Sequence, residues 1–391
     1  MIEDRLSILH PRFPIPDLPT SILDPVLKKP MKKKLRVALL FGGKSAEHEI
    51  SLISARNIVE AMDQDKYEVV AIGIDKQGRW YLDEGARLLR GKEQSKVEFS
   101  DARNAAAVLP GDTPTPVVRR RGAAFGAVDV VFPILHGPFG EDGTVQGLLK
   151  LANVPYVGAG VLGSAVGMDK DVMKRLLREA KIPTPNFLAF GRSDKISFAR
   201  VRNILGMPLF VKPANLGSSV GISKVTKPAQ FSAAVKEAFR YDNKIIIEEF
   251  IRGREIECSV LGNEKPIASL PGEIIVQHDF YSYDAKYLDE KGARLEIPAK
   301  LPKRVVKNVR EMALRAYRTL CCEGMARVDF FVRLNGQVLV NEINTIPGFT
   351  KISMYPKMWE ASGISYSRLI DRLIGLALER ARRENRLRTA K

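Results

Sequence analysis

The chain is short of cysteine, histidine and long apolar runs, and each shortage removes a class of function. Three cysteines, Cys258, Cys321 and Cys322, are too few for a disulfide framework, so they read as reduced thiols in a cytoplasmic protein. Four histidines give no Cys and His spacing that resembles a zinc site. No apolar stretch approaches the roughly 18 residues that a membrane-spanning helix needs, and residues 1–30 lack the continuous apolar core of a secretory signal. There is no internal repeat and no low-complexity segment.

Charge, in contrast, is plentiful. A formal net charge of +17 would suit a phosphate backbone. It is scattered, however: only Lys28 to Lys34 and Arg380 to Lys391 are dense, and neither run interleaves aromatic residues that would stack on bases. A solvated surface and anionic small-molecule ligands account for the excess better than nucleic acid. With 45% hydrophobic and 27% charged residues, the composition is that of a soluble globular chain. Its 391 residues predict two or three domains with clefts between them.

Residues 1–30 hold six prolines and no periodicity, which predicts an irregular leader. From Leu35 the pattern runs strand (LRVALLF), glycine turn, and a helix expected over Ser51 to Met62. Strands follow at Tyr67 to Asp75 and Val128 to Leu135. Strands alternating with helices predict a parallel, doubly wound α/β sheet. A helix over TVQGLLKLAN and a short strand at Tyr156 and Val157 would close this domain, expected over residues 31–158. A central domain over 159–248 would hold the helix near Met168, the strand PLFVKP, a glycine-serine loop and the strand KIIIEEF. The rest, 249–391, is strand-rich and then helical.

Three clusters could carry chemistry. In a strand, side chains two apart share a face, so RVDFF places Arg327 with Asp329, and NEIN places Glu342 with Asn344. If the two strands are neighbours, three oxygen donors and a guanidinium converge. Mg²⁺ takes such hard oxygen ligands together with substrate phosphates, and this explains the set better than a solvent-facing strand side does. In KPANLGSSVG, a strand end runs into a small-residue loop whose N–H groups and hydroxyls could surround phosphate; Lys212 precedes the glycines, unlike the P-loop order. The strand IIIEEF followed by GREIE could hold adenine and ribose through its edge and acids, or could be an ordinary buried strand with a charged end. GGKSAEHE at the first strand end is no nicotinamide dinucleotide fingerprint, and His48 reads as a capping or surface residue. His136, at another strand end, is better placed to touch ligand.

Taken together, GGKSAEHEISL, HGPFGEDGTVQG, MDKDVMKRLL, VKPANLGSSVGISKV, FYSYDAKY, GMARVDFF and VNEINTIPGFT resemble the D-alanine:D-alanine ligases, in family order and from about Lys34 to the end. The resemblance implies an ATP-grasp architecture of three domains: an amino-terminal doubly wound α/β domain, a central lid-bearing α+β domain and a carboxy-terminal α+β domain. It implies a cytoplasmic enzyme that joins two D-alanine molecules for peptidoglycan synthesis, with ATP as co-substrate, two Mg²⁺ (or Mn²⁺) ions and a homodimeric state. By the same resemblance Lys170, Lys212 and Lys286, with Ser218 and Ser219 of the covering loop, bind phosphates. Glu248 and the backbone at Glu249 and Ile251 hold adenine, Glu255 holds ribose, and Asp329, Glu342 and Asn344 ligate metal. Many members carry Lys in place of Glu249, but that position acts through its backbone.

The reaction so implied first activates one D-alanine as an acylphosphate, a transfer that depends on positioning and charge neutralisation. Glu47 would bind the ammonium of that first D-alanine, and His136 is a further substrate contact. The second amine then attacks, with Arg327 and the backbone of Gly348 stabilising the oxyanion while Ser353 and the backbone of Met354 hold the second carboxylate. The segment from Val276 to Gly292, with Tyr281, Tyr283, Lys286 and Tyr287, would exclude water. Tyr287, Ser218 and Glu47 match the family's hydrogen-bonded trio, and Tyr287 favours D-alanine over D-lactate or D-serine as acceptor. A non-catalytic ATP-binding or nucleic-acid-binding protein would not need Lys170, Arg327, Asp329, Glu342 and Asn344 together.

Overall fold

Leu35–Gly42 (β1) is apolar without alternation, the pattern of a strand covered on both faces, and six of its eight residues are buried. In the computed structural model it pairs in parallel with Tyr67–Ile74 (β2) on one side. After the helix His48–Ala61 (α1) and the antiparallel edge strand Trp80–Leu82 (β3), a short pair, Ala106–Val108 (β4) with Val117–Arg119 (β5), stands apart. Val130–Ile134 (β6) then closes the other side of β1, giving the order β3-β2-β1-β6. The expected strand at Tyr156 and Val157 is reduced to a single parallel bridge between Val131 and Tyr156.

The structure describes residues 33–82, 127–276 and 293–388, residue 89, and β4 and β5. The chain divides into two units, Met1–Lys33 and Lys34–Lys391. All elements named here belong to the second; the leader expected over residues 1–30 lies outside the described residues.

Both faces of the first sheet are buried. Ala38, Leu40, Val70 and Ile72 pack on the helix Thr144–Leu151 (α2) through Val145 and Leu149. Val37, Leu39, Phe41 and Phe132 face α1 and also Leu369, Leu373 and Ile374 of the last helix. Helix α1 starts three residues before the expected Ser51, because the glycine turn is short. Ser51 is thereby buried inside the helix, its hydroxyl accepting from the Gly42 N–H at 2.7 Å and donating to the Ile134 carbonyl. Gly42 itself has φ 90°, and a Cβ there would collide with the Ile74 carbonyl.

Val161–Met168 (α3) is a helix that periodicity did not announce; its small residues allow close approach, with Gly163 against the Cys321 backbone. Lys170–Glu179 (α4) follows, capped by Asp169, whose carboxylate accepts from the N–H groups of Asp171 and Val172 at 3.1 and 3.0 Å. The second sheet is antiparallel, built from Phe187–Gly191 (β7), Leu209–Pro213 (β8), Ser223–Val225 (β9) and Lys244–Glu249 (β10) in the order β7-β10-β8-β9. Helices Phe198–Leu205 (α5) and Phe231–Tyr241 (α6) cover one face through Val201, Leu205, Phe231 and Ala238.

The third sheet takes Gly253–Gly262 (β11), Ile267–Ala268 (β12), Gly272–Val276 (β13), Ala293–Glu296 (β14), Gly324–Arg333 (β15) and Val338–Asn344 (β16). Its order is β14-β13-β11-β15-β16, with β12 paired to β11. Lys303–Thr319 (α7) covers one face, with Val309, Met312 and Tyr317 against Ile256, Cys258, Val328 and Phe330. Each such fully buried side chain contributes about 1.5–3 kcal/mol. The chain ends in Met354–Ala361 (α8) and Tyr366–Glu384 (α9).

Helix α9 is fastened to the first sheet by Arg380, which is only 3% exposed. Its guanidinium donates to the carbonyls of Tyr156 and Gly158 at 2.7 and 2.5 Å and lies over the Tyr156 ring. Arg380→Met keeps the aliphatic bulk but leaves two buried carbonyls without donors. It should destabilise the protein by about 2–4 kcal/mol, read as a lower thermal midpoint; an unchanged melt would show that the clamp contributes nothing.

Candidate functional site

The charged residues lie on the faces of the second and third sheets opposite α5, α6 and α7; on the third sheet that face is shared with α8, where Ser259 donates to the Tyr355 carbonyl at 3.3 Å. On the second, alternation puts Ile246, Lys212 and Glu248 on that side, where Ile246 and Lys212 are cross-strand partners. On the third, the registers Glu257 with Asp329, Asp329 with Glu342, and Arg327 with Asn344 put these side chains on one face of three adjacent strands. The expected adjacency of RVDFF and NEIN is therefore present, interrupted only by an irregularity after Asp329.

Arg327 is the centre of this face. Its Nε and Nη2 donate to the two oxygens of Asp329 at 2.7 Å each, and Nε also lies 2.9 Å from Glu257. Asn344 donates from Nδ2 to Asp329 at 2.9 Å, and Glu342 lies 3.6 Å from the Lys170 ammonium. Among the described residues no group of three or more His, Cys, Asp and Glu side chains could hold a metal by itself. Two carboxylates and an amide still fit a hard divalent ion, which commonly takes one or two carboxylates and completes its shell with phosphate and water. Asn344 would join such a shell through its amide oxygen, since its Nδ2 is the atom that donates to Asp329.

On the second sheet Glu248, 2% exposed, sits between two ammonium groups: Lys174 at 2.6 Å and Lys212, which also donates to it. Burial alone would raise this carboxyl, but the two lysines outweigh it and hold it down at about 2. The expected role of Glu248 at adenine therefore falls on a group that already has two cationic partners. Lys174 was not anticipated. It is 1% exposed and donates to the Asn341 carbonyl at 2.9 Å, next to Glu342; burial lowers its pKa despite Glu248. Its spacing of four from Lys170 on a helix was the available signal.

Lys170, in the first turn of α4, donates to the Leu216 carbonyl at 2.6 Å and so touches the glycine-serine loop. In that loop Ser218 and Ser219 have φ of 54° and 62°, left-handed conformations that cluster at ligand sites. Ser218 donates to Glu47, which occupies the N-cap position of α1, so two members of the expected trio meet. Tyr287 and Lys286, with Tyr281 and Tyr283, lie outside the described residues. Glu249 exchanges hydrogen bonds with the Asn186 backbone through its own N–H and its carboxylate, so of its backbone only the carbonyl could face a base. Ile251 is buried beside it, and Glu255 lies on the same face of β11 as Glu257.

His136 is buried, bonded through Nδ1 to the Ile346 carbonyl at 2.9 Å, and burial lowers its pKa, which favours the neutral ring. His48 is likewise tied to backbone, its Nδ1 2.8 Å from the Gly43 carbonyl. Glu141 was also missed. It accepts from the N–H groups of Gly137 and Ile346 at 2.7 and 3.0 Å, while burial and then the charge of Glu47 push its pKa up to about 8. Gly348 and Ser353 belong to the turn before α8, where Ser353 Oγ accepts from the Thr350 N–H at 2.9 Å. Met354 is the first residue of α8, whose opening N–H groups suit an anion. A separate cavity of about 340 Å³ beside Gly43, Trp80, Leu135 and Leu148 is mainly apolar and contains none of the ion pairs above.

Two antiparallel sheets, each helix-backed, that enclose lysines on one side and a metal-competent carboxylate face on the other define an ATP-grasp enzyme. The comparisons agree with that class and narrow it: the chain belongs to the D-alanine–D-alanine ligase family. The family model for the D-ala D-ala ligase N-terminus matches residues 36–159, and that for the D-ala D-ala ligase C-terminus matches residues 176–375. The D-alanine–D-alanine ligase of Shouchella clausii is 54% identical over 361 residues, which are 91% of this chain and 98% of that protein. The solved D-alanine-D-alanine ligase of Coxiella burnetii superposes with a TM-score of 0.81 at 44% identity, covering 90% of this chain and 97% of that one. The VanG D-Ala:D-Ser ligase of Enterococcus faecalis gives a TM-score of 0.78 at 37% identity, covering 88% and 100%. The family is ATP-dependent and uses a divalent metal.

The folded pKa of Glu248, about 2, lies below its ordinary value of 4.5, so the stability this triad contributes is present above about pH 4.5 and is lost as the pH falls from there towards 2. Glu248→Gln should lower stability at pH 7 by about 3–5 kcal/mol, because two buried ammonium groups lose their counter-ion. Urea unfolding over a pH series should show the gap from wild type closing below about pH 4.5. A gap of constant size would mean that the charge of Glu248 is not its source.

Proposed function

We propose that the chain joins two D-alanine molecules into D-alanyl-D-alanine for peptidoglycan precursor synthesis, with ATP consumed to ADP and phosphate. What supports this reading most is the face of the third sheet, where Arg327, Asp329, Glu342 and Asn344 converge by strand register within reach of Lys170. Such a face serves phosphoryl transfer to a carboxylate. Asp329, Glu342 and Asn344 would hold two Mg²⁺ ions, which neutralise the charge of ATP phosphates when bound.

The residues of the chain divide the work. Lys170 and Lys212 balance phosphate charge, with Ser218 and Ser219 offering donors from the loop. The carbonyl of Glu249 and the N–H of Ile251 meet adenine, and Glu255 meets ribose. Glu47 neutralises the ammonium of the first D-alanine and His136, as a neutral ring, lies on the substrate side. The first carboxylate takes the γ-phosphoryl group, and the amine of the second D-alanine then attacks the acylphosphate carbon, expelling phosphate. Arg327 and the Gly348 N–H stabilise the oxyanion, while Ser353 and the Met354 N–H hold the second carboxylate. The same reading takes residues 31–158, 159–248 and 249–391 as the three domains, a homodimer as the working state and the cytoplasm as its place.

Phosphate release should require D-alanine and Mg²⁺ and should not be supported by L-alanine; D-serine and D-lactate, offered as acceptors beside D-alanine, report the second-site preference. Phosphate release that ignores D-alanine would overturn the assignment. Glu342→Gln keeps volume but removes one charge, so it should abolish ligation and leave the thermal melt unchanged. Activity retained at saturating Mg²⁺ would remove Glu342 from the metal set.

A further inference from the structure

Glu257 has no part in the reaction as derived above, yet it is 5% exposed and stands in a row of three carboxylates, Glu257, Asp329 and Glu342, across β11, β15 and β16. Like charges directly opposite one another in a sheet repel, and a buried carboxylate is expensive unless it is paired. The cation that separates the first two is Arg327, whose Nε lies 2.9 Å from Glu257 Oε2 and 2.7 Å from Asp329 Oδ1. Burial disfavours the guanidinium charge, and Asp329 followed by Glu257 more than offset that penalty.

The two anionic partners of Arg327 are not equivalent. Asp329 is shared: it accepts from Asn344 as well, and in the reading above it also serves metal. A carboxylate that donates electron density to a divalent ion is a weaker partner for a guanidinium. Glu257 lies on β11, a different strand from all three metal-site residues, with one intervening strand between it and Glu342. It can therefore stay on Arg327 whatever Asp329 does.

We propose that Glu257 is a positioning residue that anchors Arg327 while Asp329 serves the metal, and that this anchoring keeps acylphosphate formation coupled to dipeptide formation. The inference rests on the functional reading above, specifically on Arg327 acting at the oxyanion. A guanidinium held from one side only leaves the oxyanion poorly supported, so attack by the second amine slows and the acylphosphate is lost to water. The signature is uncoupling, in which phosphate is released without dipeptide.

The test compares wild type with Glu257→Gln, which keeps the shape and removes the charge, measuring phosphate and dipeptide together. Mn²⁺ affinity in the presence of ADP is measured separately, without turnover. In E257Q, kcat should fall by about tenfold or more, and phosphate released per dipeptide should rise severalfold above the wild-type ratio, with Mn²⁺ affinity unchanged. In an Arg327→Lys background the same substitution should produce no further rise, because both act through one group. If E257Q does not fold, as judged by its thermal melt, Glu257→Asp keeps the charge on a shorter arm and should show the same uncoupling in milder form. Unchanged coupling and kcat in a folded variant would overturn the inference while leaving the ligase assignment intact. A fall of about tenfold or more in Mn²⁺ affinity would also overturn it, showing that Glu257 supports the metal site and not Arg327 alone. A wild type without D-alanine-dependent phosphate release would remove the functional reading and this inference with it.

Discussion

A carboxylate can be buried in a protein interior only beside cationic partners, and Glu248 has two, Lys174 and Lys212, on either side of it. That requirement sets the position of much else. Lys174 comes from α4, Lys212 and Glu248 from adjacent strands of the second sheet, and the Lys174 bond to Asn341 reaches the third. Because Lys170 lies one turn before Lys174 and Glu342 follows Asn341, the triad also sets Lys170 against Glu342, 3.6 Å apart.

The charged faces exist because the helices are unevenly distributed. The first sheet is covered on both sides and contributes chemistry only from loops beyond its strands, where doubly wound sheets place ligands. The other two sheets pack one side in full, on α5 and α6 and on α7, while α8 covers only part of the opposite side of the third. The charged residues on the opposite sides are buried as well, Glu248 at 2% and Glu257 at 5% exposed, and are tolerated because each has an ionic partner. Contacts from the first sheet's loops then complete the site: Glu47 receives Ser218, and His136 and Glu141 both engage Ile346.

Strand β1, the pairing of Arg327 with Asp329, and the position of His136 at the end of β6 were legible because each depends on a short period or a strand end. Helix α3 was not, since a stretch of glycine and small apolar residues carries little periodic contrast and is helical through packing; α6 was passed over although Phe231, Ala234 and Ala238 recur at helical spacing. The early start of α1 was hidden for a related reason. Ser51 reads as a polar N-terminal residue until the Gly42 and Ile134 backbones are seen to claim its hydroxyl. Glu257 stood two residues from Glu255 in plain alternation, but nothing local distinguished it from a charged strand end.

The sequence by itself determined the family, the parallel first sheet and the strands that carry Lys212, Glu248, Arg327 and Glu342, because these follow from ordered motifs and from alternation within single strands. Tertiary structure alone decided which charges are neighbours. Lys174 against Glu248, Glu257 against Arg327 and Arg380 against Tyr156 each join residues distant in the chain. Ionic partnership depends on distances of a few ångströms and on exclusion of water, and neither is encoded in any local stretch of residues.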